Sequence, residues 1–147
     1  MTDFAAARRN MVDGQIRTAD VTDLRLLWAF QDTPRERFVP PQSTALAYLD
    51  FDLPVAPRRG LIKPRLLAKM LQIADIAPTD RVLDVGTATG YGAAVLARVA
   101  AQVVALEEDA ALASAARGAL SGVANVQVVS GALAAGPHVS ERHRHAA

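Results

Sequence analysis

The chain has 147 residues, 51% of them hydrophobic, which is enough for one domain with a substantial core. Its 16 lysines and arginines nearly balance 15 acidic residues, and the formal net charge of +1 gives no support for nonspecific nucleic-acid binding. The chain contains no cysteine, which excludes disulfides, thiolate catalysis and cysteine-bound metals.

The first half of the sequence predicts helices separated by prolines. Apolar spacing predicts a helix over about 4–17 and a second helix with Thr22 as its N-cap, ending near 32–34. Residues 49–60 contain two prolines and a glycine and predict an extended crossing segment. Pro64 is well suited to the first turn of a further helix. We therefore expect an N-terminal helical segment over residues 1–63.

The second half alternates between strand and helix patterns. Strands are predicted at 81–85, 102–106 and 125–129, with helices at about 91–100 and from Asp109 to about Leu120. The apolar positions of the first strand are largely consecutive, which is typical of a buried parallel strand. The alternation predicts an α/β fold in which a parallel sheet of about three strands has right-handed crossovers. This Rossmann-like half-domain extends over residues 64–136.

A glycine-punctuated turn follows the first strand of this sheet. Gly86 and Gly90 allow a tight turn and close approach of a ligand to the backbone, and Thr89 is expected to cap the next helix. Asp84 lies in an otherwise apolar strand, where its burial is unfavourable without a partner or a function. Glu107, at the end of the next strand, is placed to accept hydrogen bonds from ribose hydroxyls. The pattern predicts a nucleotide-cofactor pocket at the carboxyl edge of the sheet.

A dinucleotide fingerprint fits this turn poorly. Counting from Gly86 puts Tyr91 where a small residue is needed for packing of helix on strand, and counting from Gly90 puts Val95 there. Asp84, Gly86, Ala88 and Gly90 instead resemble motif I of class I methyltransferases, with alanine at the middle glycine. This resemblance implies S-adenosylmethionine as the cofactor. An NAD-dependent oxidoreductase remains a disfavoured alternative.

Several of these residues also have simpler interpretations. Asp84 would then be a hydrogen-bonded acid without a ligand, and Glu107 a solvated charge at a strand end. Tyr91 and Trp28 would be core residues, and Arg58 and Arg59 an exposed pair in a loop. All three histidines lie in the polar segment 137–147, which we expect to be a disordered tail rather than a metal site, and no metal is expected.

Beyond motif I, the chain resembles protein-L-isoaspartate O-methyltransferases over about residues 8–136. The segments that follow this family's order are Met11-Val12, Gln15-Ile16-Arg17, Val21-Thr22-Asp23, Pro34-Arg35-Glu36, Phe38-Val39-Pro40, Ala47-Tyr48, Pro64, Leu67–Met70, Arg81–Thr87, Thr89-Gly90-Tyr91, Ala94–Ala97 and Glu107. The resemblance implies a Rossmann-like class I methyltransferase fold and methyl transfer to the carboxylate of L-isoaspartyl residues in damaged proteins. It also implies a cofactor site made of Asp84, Gly86, Thr87, Ala88, Gly90, Tyr91 and Glu107.

The chain departs from the family's pattern at three places. Ile62 and Gly60 lie where the family has an active-site serine and a threonine, and Ala132 lies where it has an acid near the adenine. Lys63, Arg58 or Arg59 is a speculative substitute for the serine, acting through its charge. The family's sheet also has further strands that cannot be read from this sequence. We therefore hypothesise that the chain keeps cofactor contacts but methylates weakly or not at all.

An incomplete sheet predicts an open strand edge. Two explanations of the incomplete sheet remain. The chain is either a fragment, or the product of a reading frame that shifts near Gly136, or it is a short form that dimerises across the open edge. The change in composition at Gly136 favours the first. A non-catalytic, self-associating module is the alternative function. With no apolar run near the roughly 18 residues of a membrane span and no signal peptide, we expect a cytoplasmic protein that acts on isoaspartyl proteins or peptides, without nucleic-acid or membrane partners.

Overall fold

The computed structural model describes residues 2–135, which form five α-helices and five β-strands. The helices are α1 (Phe4–Met11), α2 (Leu24–Asp32), α3 (Pro64–Ala74), α4 (Tyr91–Ala97) and α5 (Ala110–Ala119). The strands are β1 (Leu53–Ala56), β2 (Arg59–Leu61), β3 (Arg81–Val85), β4 (Gln102–Glu107) and β5 (Val126–Ser130). The predicted tail 137–147, with the three histidines, lies outside the described residues. Within those residues, no helix is long and apolar enough to cross a membrane.

The N-terminal helices form where the sequence predicts them, with different caps and turns. Asp3 caps α1 by accepting a hydrogen bond from the Ala6 N–H group, and the helix continues as a π-helical turn over Val12–Ile16. The cap of α2 is Asp23, whose carboxylate accepts from the Arg25 N–H group. The predicted Thr22 cap is therefore wrong, because the adjacent Asp23 is a residue type preferred over threonine at the N-cap.

Residues 49–60 were expected to be extended, but the structure forms a hairpin there. Strands β1 and β2 pair antiparallel, with an irregular register between Pro54 and Ala56. Pro57 and Arg58 connect them, and Arg58 has a left-handed backbone with φ 61°. This conformation is unfavourable for a side chain with a Cβ atom. The hairpin was missed because its turn carries none of the usual Asn-Gly or Asp-Gly signals.

The three-stranded sheet has the order β3-β4-β5 and is parallel throughout, as predicted. In the register, Val85 is paired with Leu106 and Glu107 with Ser130. The carboxyl ends of β3 and β4 are therefore adjacent, which brings the turn after β3 next to Glu107. This arrangement, with α4 and α5 as crossovers, confirms the Rossmann-like α/β fold.

Strand β3 is not fully buried, contrary to the prediction. Leu83 is 46% exposed and Val85 is 52% exposed, whereas Val82 packs against the core. Consecutive apolar residues were interpreted as burial on both faces, but β3 is an edge strand within the described sheet. Exposure also alternates along β3, so the face that carries Leu83 and Val85 is open to solvent.

The core lies between the sheet, its crossover helices and α2. Phe30 and Phe38 meet the Tyr91 ring edge-on, with centroids 6.3 and 5.7 Å away. Trp28 was expected to be a core residue but is 69% exposed, because α2 turns Leu27 and Phe30 inward and leaves Trp28 on its outer side. The packing of α2 on α4 positions the first turn of α4 beside the glycine turn.

Candidate cofactor site

The turn after β3 places every second residue in a left-handed backbone conformation. Gly86, Ala88 and Gly90 have φ values of 74°, 54° and 96°. The N–H groups of Gly86 and Thr87 both donate to the Leu106 carbonyl, at 2.9 and 3.0 Å, which ties the turn to β4. The alternation explains why glycine suits all three positions, and Ala88 adopts this backbone despite its Cβ atom.

The two glycines serve different purposes. A Cβ atom on Gly86 would lie 3.7 Å from the Arg59 guanidinium, an ordinary van der Waals contact, so this glycine lies next to the Arg59 side chain. A Cβ atom on Gly90 would lie only 2.7 Å from a methyl carbon of Leu120. Gly90 therefore permits close packing against the end of α5, whereas close approach to a ligand was the sequence-based expectation for both.

The two threonines of the turn hold it to its neighbours. Thr87 donates its hydroxyl to Asp84 Oδ2 at 2.8 Å, and Thr89 donates to the Phe38 carbonyl at 2.5 Å. The expectation that Thr89 caps α4 is wrong, since Gly90 is the N-cap residue and has no capping side chain. Thr89 instead connects the turn to the N-terminal region.

Asp84 is a half-buried acid beside this turn. Burial raises the pKa of its carboxyl; the Thr87 hydrogen bond opposes this only in part, and the negative charge of Glu107 adds to it. The carboxylate is therefore less stable in the folded chain than in water, as is common for groups that serve a ligand rather than the fold.

We expect Asp84→Asn to stabilise the ligand-free chain by about 1 kcal/mol at pH 7. Because the folded pKa is raised, the unfavourable contribution of Asp84 is present above that pKa and disappears as pH falls below the ordinary value of 3.8. Urea unfolding of both proteins at pH 7 and pH 3.5 measures this, and the gain should shrink at the lower pH. A less stable Asp84→Asn protein at pH 7 would contradict it.

Glu107 is completely buried at the end of β4, and both of its carboxylate oxygens are bound. Oε1 accepts from the Ala88 N–H group at 2.8 Å, and Oε2 accepts from the Asp109 N–H group at 2.9 Å. Arg59 donates to both oxygens, at 2.5 and 2.8 Å. Burial alone would raise the pKa of Glu107, but these hydrogen bonds and the Arg59 charge outweigh it and hold the pKa below its ordinary value.

Arg59 was expected to belong to an exposed loop pair with Arg58, and this is wrong for Arg59. Its guanidinium forms a two-pronged ion pair with Glu107, and its side chain is 28% exposed. The interpretation failed because strand pairing in the hairpin, which the sequence did not indicate, carries Arg59 to the carboxyl edge of the parallel sheet.

Arg35 packs against Tyr91 at the start of α4, and the sequence did not identify it as a site residue. It is completely buried, donates to the carbonyls of Ala47 and Ile62 at 2.7 and 3.3 Å, and lies 4.6 Å from the centre of the Tyr91 ring. Its place in the Pro34-Arg35-Glu36 segment was the available signal. Tyr91, one of the predicted cofactor residues, is thus held in the core, and burial raises the pKa of its hydroxyl.

Two cavities share the hairpin and the glycine turn as walls. One, of about 240 Å³, is lined by Gly60, Leu61, Ile62, Leu67, Met70, Asp84, Val85, Gly86, Thr87, Ala88, Tyr91 and Gly92. The other, of about 390 Å³, lies between β1, Thr89 and α5. A larger groove of about 710 Å³ beside Trp28 contains none of the motif residues, so its size is no argument for function.

The remaining predicted positions lie around these cavities. Ile62 is an exposed part of the smaller cavity's wall, and Lys63 precedes α3, with its N–H group donating to Asp52 at 2.8 Å. Ala132 is exposed, next to Gly131, whose N–H group donates to the Glu107 carbonyl. The structure thus brings Asp84, the glycine turn and Glu107 together. The family resemblance implies a hydroxyl at the position of Ile62 and an acid at the position of Ala132, and neither group is present there.

A family model described as "Protein-L-isoaspartate(D-aspartate) O-methyltransferase (PCMT)" matches residues 6–137. The chain belongs to this family. It is 43% identical, over 133 residues, to the protein-L-isoaspartate O-methyltransferase of Koribacter versatilis, and the match covers 89% of this chain and 60% of that protein. The relatives of this chain are named as methyltransferases, so the comparison favours neither the oxidoreductase nor the scaffold alternative.

Solved structures agree with the family. A protein-L-isoaspartate O-methyltransferase superposes with a TM-score of 0.73 at 27% identity, covering 84% of this chain and 42% of that one. A putative protein-L-isoaspartate O-methyltransferase from Plasmodium falciparum, in complex with S-adenosyl-L-homocysteine, shares the fold with a TM-score of 0.68 at 15% identity, covering 88% of this chain and 63% of that one. The chain therefore spans only about half the length of such family members.

Proposed function

We propose that this chain binds S-adenosylmethionine and directs its methyl group to the carboxylate of L-isoaspartyl residues in damaged proteins or peptides. The observation that carries the proposal is the convergence of Asp84, the left-handed turn Gly86–Gly90 and Glu107 at the carboxyl ends of two adjacent parallel strands, in a member of this family. Open α/β sheets bind their ligands at this edge.

The residues present fit such a cofactor. We propose Asp84, Gly86, Thr87, Ala88, Gly90, Tyr91 and Glu107 as the residues that hold it. Gly86 takes the left-handed backbone that the turn requires, Asp84 supplies a carboxylate destabilised by burial, and Glu107 is the proposed acceptor for ribose hydroxyls. S-adenosylmethionine brings an activated methyl group, so the chain itself has only to position a carboxylate in line with it.

Positioning of the substrate carboxylate is the weak element of this chain. The cavity beside Asp84 is walled by Ile62, whose side chain cannot donate a hydrogen bond, where the family resemblance implies a serine. Lys63 is next to it and is our proposed, less specific substitute. We therefore infer cofactor binding with weak methyl transfer.

Methyl transfer to an isoaspartyl peptide tests this proposal. We expect a rate at least about 100-fold below that of a full-length relative, since misplacement of a reacting group by about 1 Å has that effect. Ile62→Ser should raise the rate and Lys63→Ala should lower it, with the aspartyl form of the same peptide as the control. Brisk transfer by the unaltered chain, unaffected by either change, would overturn this part of the proposal.

We also propose that the chain self-associates through the open edge of β3. The exposed side chains of Leu83 and Val85 lie on this strand, and unpaired apolar edges favour strand pairing between molecules. Val85→Lys should shift a sedimentation profile from dimer toward monomer; a wild-type chain that is monomeric at high concentration would contradict the proposal. The near-neutral charge supports protein rather than nucleic-acid partners. A cytoplasmic location and the division into segments 1–63 and 64–136 also stay proposals.

A further inference from the structure

In the described structure the acceptor that a cofactor ribose needs is already occupied. A ribose diol donates hydrogen bonds to a carboxylate, and Glu107 is the carboxylate at the sheet edge. Both of its oxygens receive an Arg59 nitrogen as well as one backbone N–H group. The side chain of Glu107 has no exposed surface, so a ligand cannot reach it while Arg59 stays in place.

The two cavities beside the glycine turn do not reach Glu107 either. Glu107 and Arg59 line neither the cavity next to Asp84 nor the one next to α5, although both cavities use the hairpin as a wall. Neither cavity therefore reaches the Glu107 carboxylate while the ion pair is in place. The backbone donors to Glu107 remain in place whether Arg59 is present or not, because they belong to the turn and to the start of α5.

Arg59 differs from the other partners of Glu107 in being able to leave. Its side chain is partly exposed, whereas Glu107 is fixed at the end of the central strand β4. Arg59 is carried by the short hairpin, directly after the left-handed Arg58. A change of side-chain rotamer would move the guanidinium into solvent without rearranging the sheet.

We propose that Arg59 is an intramolecular competitor for Glu107 that keeps the ribose-binding site closed until the cofactor displaces it. This inference rests on the proposed function, because it takes Glu107 as the ribose acceptor. It assigns Arg59 the role of a gate on cofactor affinity, rather than that of a purely structural ion pair. If the ion pair were purely structural, removal of the Arg59 guanidinium would weaken cofactor binding. If Arg59 is a gate, its removal strengthens cofactor binding.

Titration calorimetry with S-adenosylhomocysteine distinguishes these roles. We expect Arg59→Gln to bind at least tenfold more tightly than the wild-type chain, and Arg58→Gln, which removes the same charge from the adjacent residue, to bind within twofold of it. Equal or weaker binding by Arg59→Gln, with measurable wild-type binding, overturns the gate and leaves the proposed function standing. Absence of binding by every one of these proteins overturns both.

A second measurement covers the case in which Arg59→Gln does not fold, which circular dichroism would reveal. In the wild-type chain, labelled with ¹⁵N, saturation with S-adenosylhomocysteine should shift the Arg59 Nη–H resonances, whose protons donate to Glu107, toward those of a solvated arginine. The Arg17 Nε–H group, in an exposed pair with Asp13, is the internal reference and should not move. An Arg59 resonance that stays unchanged at saturation would overturn the gate.

Discussion

We expect Glu107→Gln to lower the free energy of unfolding by about 3 kcal/mol and to abolish binding of S-adenosylhomocysteine. Four donors converge on the Glu107 carboxylate: two from Arg59 and one each from the N–H groups of Ala88 and Asp109. A carboxamide of the same shape accepts at one oxygen only and presents its own N–H groups to the remaining donors. The substitution therefore leaves buried donors unpaired although the volume is unchanged.

Urea unfolding at pH 7 measures this effect, with Glu108→Gln as the matched control. Glu108 is exposed and adjacent, so its substitution should change stability by no more than about 0.5 kcal/mol. Because the folded pKa of Glu107 lies below its ordinary value of 4.5, its favourable contribution is present above pH 4.5 and is lost as pH falls through the folded pKa. The difference between wild type and Glu107→Gln should narrow over that acidic range. Equal effects of the two substitutions at pH 7 would contradict this account of Glu107.

The second large effect is expected at Arg35. We expect Arg35→Ala to lower the free energy of unfolding by about 3 kcal/mol, since it removes a buried cation over the Tyr91 ring and two hydrogen bonds to the carbonyls of Ala47 and Ile62. Burial lowers the pKa of Arg35, and electrostatic interactions with Tyr91, Tyr48 and Asp52 oppose that shift. The guanidinium joins the N-terminal region, the segment after the hairpin and α4 through one side chain.

Thermal and urea unfolding of Arg35→Ala test this contribution, with Arg37→Ala as the control two residues away. Arg37 is exposed, so its loss should change stability by no more than about 0.5 kcal/mol. Arg35→Lys should recover only part of the loss, because an ammonium lacks the planar fork that donates to two carbonyls and stacks on a ring. Full recovery by lysine would show that charge alone, and not this geometry, is what Arg35 supplies.

The parallel sheet and its glycine turn could be predicted because they depend on local sequence signals. Strand, turn and helix patterns recur in order over residues 81–129, and Gly86 and Gly90 do take the positive φ values that their positions in the motif require. Placement of Asp84 and Glu107 at neighbouring strand ends follows from parallel pairing alone. These features need no knowledge of distant contacts.

The partners of Glu107 and the exposure of β3 could not be predicted because both depend on tertiary structure. Arg59 reaches Glu107 across 48 positions of sequence, through a hairpin whose turn lacks the usual residues. The exposed faces of Leu83 and Trp28 depend on which strand or helix lies beside them, which periodicity does not specify. The sequence therefore predicted correctly that Glu107 lies at the sheet edge. It gave no sign that Arg59 would form an ion pair with the Glu107 carboxylate.

Titration of the wild-type chain with S-adenosylhomocysteine, with NAD as the parallel ligand, tests the central claim most directly. The account predicts saturable binding of S-adenosylhomocysteine that Glu107→Ala abolishes, and no comparable binding of NAD. Failure of both the wild-type and Arg59→Gln chains to bind S-adenosylhomocysteine, or equal binding of NAD, would contradict the assignment of a methyltransferase cofactor site to this sheet edge.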